Sequence, residues 1–261
     1  MLYSDLMAGI EFQQNAAGLV VPEDWLQGRS MFGGLQAALA VQAMRQLTPQ
    51  TLPLRTLQTT FMAPIPAGTV TAIAQVLRQG KNTYHVEARI QDGNQTQALC
   101  IGVFGAGRDS ALSRTIAPPK LPQTDPKPFV FNQGTNPSFT QHFSAQWLRG
   151  DLPFSGSSDT TALVDVSMKD SSNASEAHLL AIADFIPPVA LSLLTQPSPG
   201  SSLTWMIELL NNDWQDQPLS HWLVDAEMTA AGEGYTSQTA TIYAPDGNAV
   251  ALSRQSMVVF G

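Results

Sequence analysis

One cysteine, Cys100, stands in 261 residues, so no disulfide can form within the chain. It lies in the apolar run Ala98-Leu99-Cys100-Ile101, which makes a buried structural thiol its expected role. Charge is scarce as well, at 13% of residues against 43% apolar. That balance, with many Ser, Thr and Gln, fits a compact, sheet-rich protein and not a disordered one. No apolar run approaches the length needed to span a bilayer. The N-terminus lacks the basic-then-apolar plan of a secretion signal. A cytoplasmic protein is expected. The four histidines, His85, His142, His178 and His221, show no ligand spacing, so no metal is expected. Nothing in the chain asks for a cofactor. A Gly-x-Ser-x-Gly turn is also missing, which excludes the nucleophile elbow of serine hydrolases.

The charge that is present is unevenly spread. Residues 1–105 are neutral, 106–137 carry +2, and 138–261 carry −10, giving the net −8. The acidic second half argues against nucleic acid as a partner.

The pattern that remains is a repeat. One half closes on Ala98-Leu99-Cys100-Ile101-Gly102-Val103-Phe104-Gly105, the other on Ser256-Met257-Val258-Val259-Phe260-Gly261. Each close follows an Asp-Gly-Asn turn, at Asp92-Gly93-Asn94 and Asp246-Gly247-Asn248. A repeat of this size points to two copies of one supersecondary unit.

Both halves combine a helix with a following meander of strands. Residues 1–30 read as a lead-in with a short amphipathic segment. Gly33 to Arg45 is rich in Ala, Leu, Met and Gln, strong helix formers, and apolar nearly all round, which suits a helix embraced by a sheet. Strands are expected over 54–63, 69–78, 83–91 and 95–104, with Asp92-Gly93 as a hairpin turn. Six prolines between 118 and 137 mark an extended linker. In the second half strands are expected over 139–147 and 162–169, and a helix over 175–184. Pro187-Pro188 interrupts it, and Pro188 opens a new helix over 189–194. Further strands fall at 203–210, 221–230, 235–243 and 249–260. The fold expected is α+β, a double hot-dog in which two helix-plus-antiparallel-sheet repeats are fused. The units are 1–105 and 138–261, joined by a Pro-rich linker over 106–137.

Three segments carry a resemblance over nearly the whole chain. They are Gly28-Arg29-Ser30-Met31-Phe32-Gly33-Gly34, then Leu179-Leu180-Ala181-Ile182-Ala183-Asp184 followed by Pro188-Val189-Ala190-Leu191, and last Ser253-Arg254-Gln255. With them the chain resembles the acyl-CoA thioesterase II-like family of double hot-dog enzymes. The resemblance implies an acyl-CoA substrate, hydrolysis to free acid and CoA, and a homo-oligomer of double units. It implies a catalytic water held by Asp184, Gln255 and a hydroxyl at Ser202, with Thr204 as the competing position. It also implies substrate binding by Phe32, Gly33 and Gly34 at the first helix start.

The chemistry suits those residue types. A thioester needs an oriented water, a group to take its proton, and donors for the oxyanion. A carboxylate near a helix N-terminus is expected to stay ionised, and the Gly33 and Gly34 amides to form the oxyanion hole. Taken alone, Asp184 reads equally as a cap for the helix Pro188 begins. Gln255 alone is a surface residue, Ser202 a loop serine, and the two glycines a packing device. Arg55, Arg78 and Lys81 read as solvated charges. Two other functions use the same fold. One is a non-catalytic acyl-CoA-binding protein. The other is an enoyl-CoA hydratase working through Asp216 and His221, whose spacing is Asp-x-x-x-x-His.

Overall fold

The structure, a computed structural model, describes residues 1–93 and 95–260. Asn94 of the first Asp-Gly-Asn turn and the closing Gly261 lie outside the described residues.

The first half opens with α1 (Tyr3–Ala8), β1 (Glu11–Gln13), β2 (Ala16–Val21), β3 (Leu26–Gln27) and β4 (Ser30–Met31). Then come α2 (Gly33–Arg45), β5 (Leu54–Phe61), β6 (Gly68–Gln79), β7 (Thr83–Asp92) and β8 (Gln95–Gly105). The second half holds β9 (Lys127–Pro128), β10 (Phe143–Arg149), β11 (Thr161–Met168) and α3 (Glu176–Ala183). It ends with β12 (Gly200–Leu209), β13 (Trp222–Gly232), β14 (Tyr235–Tyr243) and β15 (Ala249–Val259). The lead-in is more structured than its sequence shows, since β1 and β2 extend the first sheet beside β6. Within 106–137, Lys127–Pro128 pairs with β10.

The long strands alternate burial residue by residue, as half-covered strands do. On β14, Thr236, Gln238, Ala240 and Ile242 are buried while the residues between them are not. The covered face of each sheet receives a helix. All of α2 except Gln42 is buried. α3 is buried from Ala177 to Ala183. That all-round burial explains why neither helix carries a polar stripe.

The two sheets are one. Thirteen strands run in the order β1-β2-β6-β7-β8-β5-β12-β15-β14-β13-β11-β10-β9. The halves meet at β5 and β12, which pair antiparallel from Thr56↔Glu208 to Thr60↔Thr204. α2 and α3 pack side by side beneath this seam, and an ideal Cβ on Gly34 would lie 2.8 Å from the Ala181 Cα. This is the double hot-dog arrangement.

Other contacts tie the halves together. At the far end of the helix pair, Arg45 in the last turn of α2 forms an ion pair with Glu176 in the first turn of α3. The Arg45 guanidinium also lies 4.6 Å from the Phe104 ring centroid. At the chain start, the Tyr3 hydroxyl donates to the Ala177 carbonyl at 3.0 Å, and the Ser4 amide donates to Asp170 at 2.7 Å. The Phe32 and Phe139 rings stack 3.9 Å apart. Cys100 is fully buried beside Thr59, and burial pushes its thiol up to about 12, so it stays a protonated core group.

Candidate active site

The C-terminal end of α3 meets the N-terminal end of α2, and Asp184 stands at that junction. It is the residue just after α3, with φ −97° and ψ 0°. Its carboxylate reaches across to the other half. Oδ1 accepts a hydrogen bond from Gln255 Nε2 at 2.5 Å, and the carboxylate also faces the Gly34 backbone N–H. Oδ2 lies only 2.6 Å from where a Cβ on Gly33 would be. The first amides of a helix have no partner within it. Asp184 lies beside those amides, and the α2 dipole favours its negative charge.

One expectation changes here. Asp184 does not cap a helix begun by Pro188. That segment is a five-residue 3-10 turn, Val189–Leu193, with Pro188 at its N-cap and no side-chain cap. The helix terminus that holds Asp184 is the one from the first half. Both glycines serve close approach: Gly33 to Asp184, and Gly34 to Ala181 and the Phe32 ring. Phe32 is itself fully buried in the aromatic cluster of the core.

The helix dipole does not win the contest over the carboxyl proton. Burial pushes Asp184 up to about 7. The Gln255 hydrogen bond and the Gly34 N–H pull the other way and are outweighed. The residue as a whole is half-buried.

Gln255 is 4% exposed and points inward from β15. Its neighbours in the ladder are Trp205 on β12 and Gln238 on β14, and both are buried. Directly opposed residues share a face, so these three side chains form one inward row. Polar groups in that row are a signal that sequence alone gave for Gln255 only through resemblance.

The register also separates the two hydroxyl positions. Ser202 pairs with Met257, a buried residue, whereas Thr204 pairs with Ser256 across a β-bulge and is exposed. The bulge places Ser202 on the inner face with Gln255 and turns Thr204 outward. The Ser202 hydroxyl makes no direct hydrogen bond with Asp184 or Gln255. Asp184, Gln255, Gly33 and Gly34 are thus brought together, with Ser202 on the same face of the sheet.

Asp216 and His221 do not form a dyad. His221 Nδ1 lies 2.9 Å from Asp165 Oδ2, and the imidazole is exposed to solvent. Both Asp216 and His221 sit at positive φ in the connection before β13. Among the described residues, no three His, Cys, Asp or Glu side chains gather as a metal site would need.

The N-terminal domain model of the acyl-CoA thioesterases matches residues 21–105, and their C-terminal domain model matches residues 117–259. The chain belongs to the acyl-CoA thioesterase family. Solved structures share its fold. A conserved protein of unknown function with a hot-dog fold from Alicyclobacillus acidocaldarius is 22% identical, with a TM-score of 0.85, covering 98% of this chain and 97% of that one. The acyl-CoA thioesterase II TesB2 from Mycobacterium marinum is 14% identical, with a TM-score of 0.75 and coverage of 98% and 96%. A tesB protein from Mycobacterium avium subspecies paratuberculosis is 10% identical, with a TM-score of 0.79 and 99% of both chains covered. No curated protein matches the chain. Among the described residues, no helix of this family member is long and apolar enough to cross a membrane.

Proposed function

We propose that the protein hydrolyses an acyl-CoA thioester to the free acid and CoA. A water held by Asp184, Gln255 and the Ser202 hydroxyl is the nucleophile. Asp184 takes a proton from the water as its oxygen bonds to the thioester carbon. The tetrahedral adduct then expels the CoA sulfur, which collects that proton. No covalent enzyme intermediate is needed. A carboxyl titrating near 7 suits a general base at neutral pH, because a substantial share of it is ionised and it is basic enough to take the proton.

The observation that carries this reading is the 2.5 Å contact between Gln255 Nε2 and Asp184 Oδ1 at the start of α2. It ties a buried carboxylate and a buried amide from distant parts of the chain to one spot. The reading takes 1–105 and 138–261 as the two hot-dog units, places the protein in the cytoplasm, and expects a dimer of double units.

The test is a thiol-release assay over acyl-CoAs from acetyl to palmitoyl. Wild type turns over at least one of them, and Asp184→Asn loses most of that activity, about 100-fold or more. Thermal stabilisation by acyl-CoA without thiol release would leave the protein a binder and refute the hydrolase reading.

A further inference from the structure

Gln238 is 3% exposed on the inner face of β14. A buried amide needs a partner, and this one has an unusual partner. Its Oε1 accepts a hydrogen bond from the Val189 backbone N–H at 2.9 Å. Val189 follows Pro187-Pro188, and proline has no N–H to donate. Val189 is therefore the first residue after Ile186 whose amide can be tethered. The tethered stretch begins at Asp184, five residues earlier. On the sheet side, Gln238 is the direct cross-strand neighbour of Gln255. Opposed residues of an antiparallel pair lie about 5 Å apart at Cβ. One side chain thus links the turn carrying Asp184 to the strand next to the one carrying Gln255.

We propose that Gln238 is a positioning residue for Asp184, holding the Asp184–Val189 turn against the sheet through the Val189 N–H. The proposal rests on the thioesterase reading. It makes the separation of Asp184 from Gln255 depend on a tether outside the water-holding groups themselves. A displacement of about 1 Å at a reacting group costs on the order of 100-fold in rate, so the tether acts on turnover more than on substrate binding.

Three variants test it on the best acyl-CoA substrate. Gln238→Leu keeps the bulk and removes the acceptor. It should lower kcat about 10- to 100-fold with KM within about threefold. Val189→Pro removes the donor from the other side. Proline suits the first position of a helical turn, and Pro188 before it is already extended, with ψ 122°. It should reproduce the loss, and the double variant should be no worse than either single one, because both break the same bond. Gln238→Glu still accepts from Val189, so at high pH its kcat should return to within about threefold of wild type. A second carboxylate beside the site should also move the acid limb of its pH profile upward. Wild-type kcat in Gln238→Leu, additive losses in the double variant, or Gln238→Glu no better than Gln238→Leu each overturn the tether. If Asp184→Asn is inactive while Gln238→Leu is not, only this proposal fails. If wild type cleaves no acyl-CoA, the thioesterase reading fails first.

Discussion

At Asp184 burial and hydrogen bonding compete, and burial wins. Two outcomes follow from a folded-state value near 7 against an ordinary carboxyl value near 3.8. The proposed general-base role needs the ionised form, so kcat/KM should rise with pH along a limb centred near 7. A pH–rate profile flat between pH 5 and 8 would contradict a general-base Asp184. Stability runs the opposite way. The folded state favours the neutral acid, so its contribution is full below about pH 4 and is lost as pH rises toward 7. Asp184→Asn should therefore be more stable than wild type at pH 8, by about 1–2 kcal/mol after a weakened bond to Gln255 is allowed for. At pH 4 it should show no gain. Paired melting curves at the two pH values check this. Little of this balance was legible in the sequence. The residue itself was found through its family motif, but its partners come from positions 34 and 255, and long-range contacts leave no trace in local spacing. Gln238 carried no local signal at all, because a polar residue on an alternating strand reads as solvent-facing. The choice between Ser202 and Thr204 also waited for the bulge, since one extra residue reverses which side chain faces inward.

At the scale of elements, the strands from β5 to β8 and from β11 to β15 were readable, because turn residues and alternation are local properties. The sequence predicts a helix over 189–194, whereas the five residues Val189–Leu193, held from outside, form only a 3-10 turn. β1, β2 and β9 escaped because their pairing is set by neighbours and not by composition. α2 and α3 depend on one another through Gly34. A methyl group there would meet the Ala181 Cα at 2.8 Å and the Phe32 ring at 2.8 and 2.9 Å. None of those atoms can step aside without moving backbone or the stacked Phe32–Phe139 pair. Gly34→Ala should destabilise by roughly 2–3 kcal/mol through overpacking, and should also disturb the amide facing Asp184. Denaturant titration measures the first effect. A midpoint equal to wild type would mean the helices can part without cost.

At the scale of the molecule, a continuous sheet joins halves that the sequence presents as separate copies. The β5–β12 seam, the shared helix layer and the Tyr3–Ala177 bond all cross between them. Each half alone would expose a strand edge and one bare side of its helix. The intact chain should unfold in one cooperative transition, with calorimetric and van't Hoff enthalpies in agreement. Fragments 1–105 and 138–261, made separately, should fail to give dispersed amide spectra. Two separate transitions in the intact chain would count against a shared core.

A pair of identical subunits would present the same chemistry at both ends of its paired helices. Covalent joining lifts that obligation. Here one end carries Asp184 beside the α2 amides, and the opposite end is closed by Arg45 and Glu176 over Phe104. A guanidinium locked to a carboxylate leaves nothing there to abstract a proton. On the proposed mechanism one mirror position is a rivet and the other the reactive end, so a tight-binding inhibitor should saturate at a single equivalent for each polypeptide.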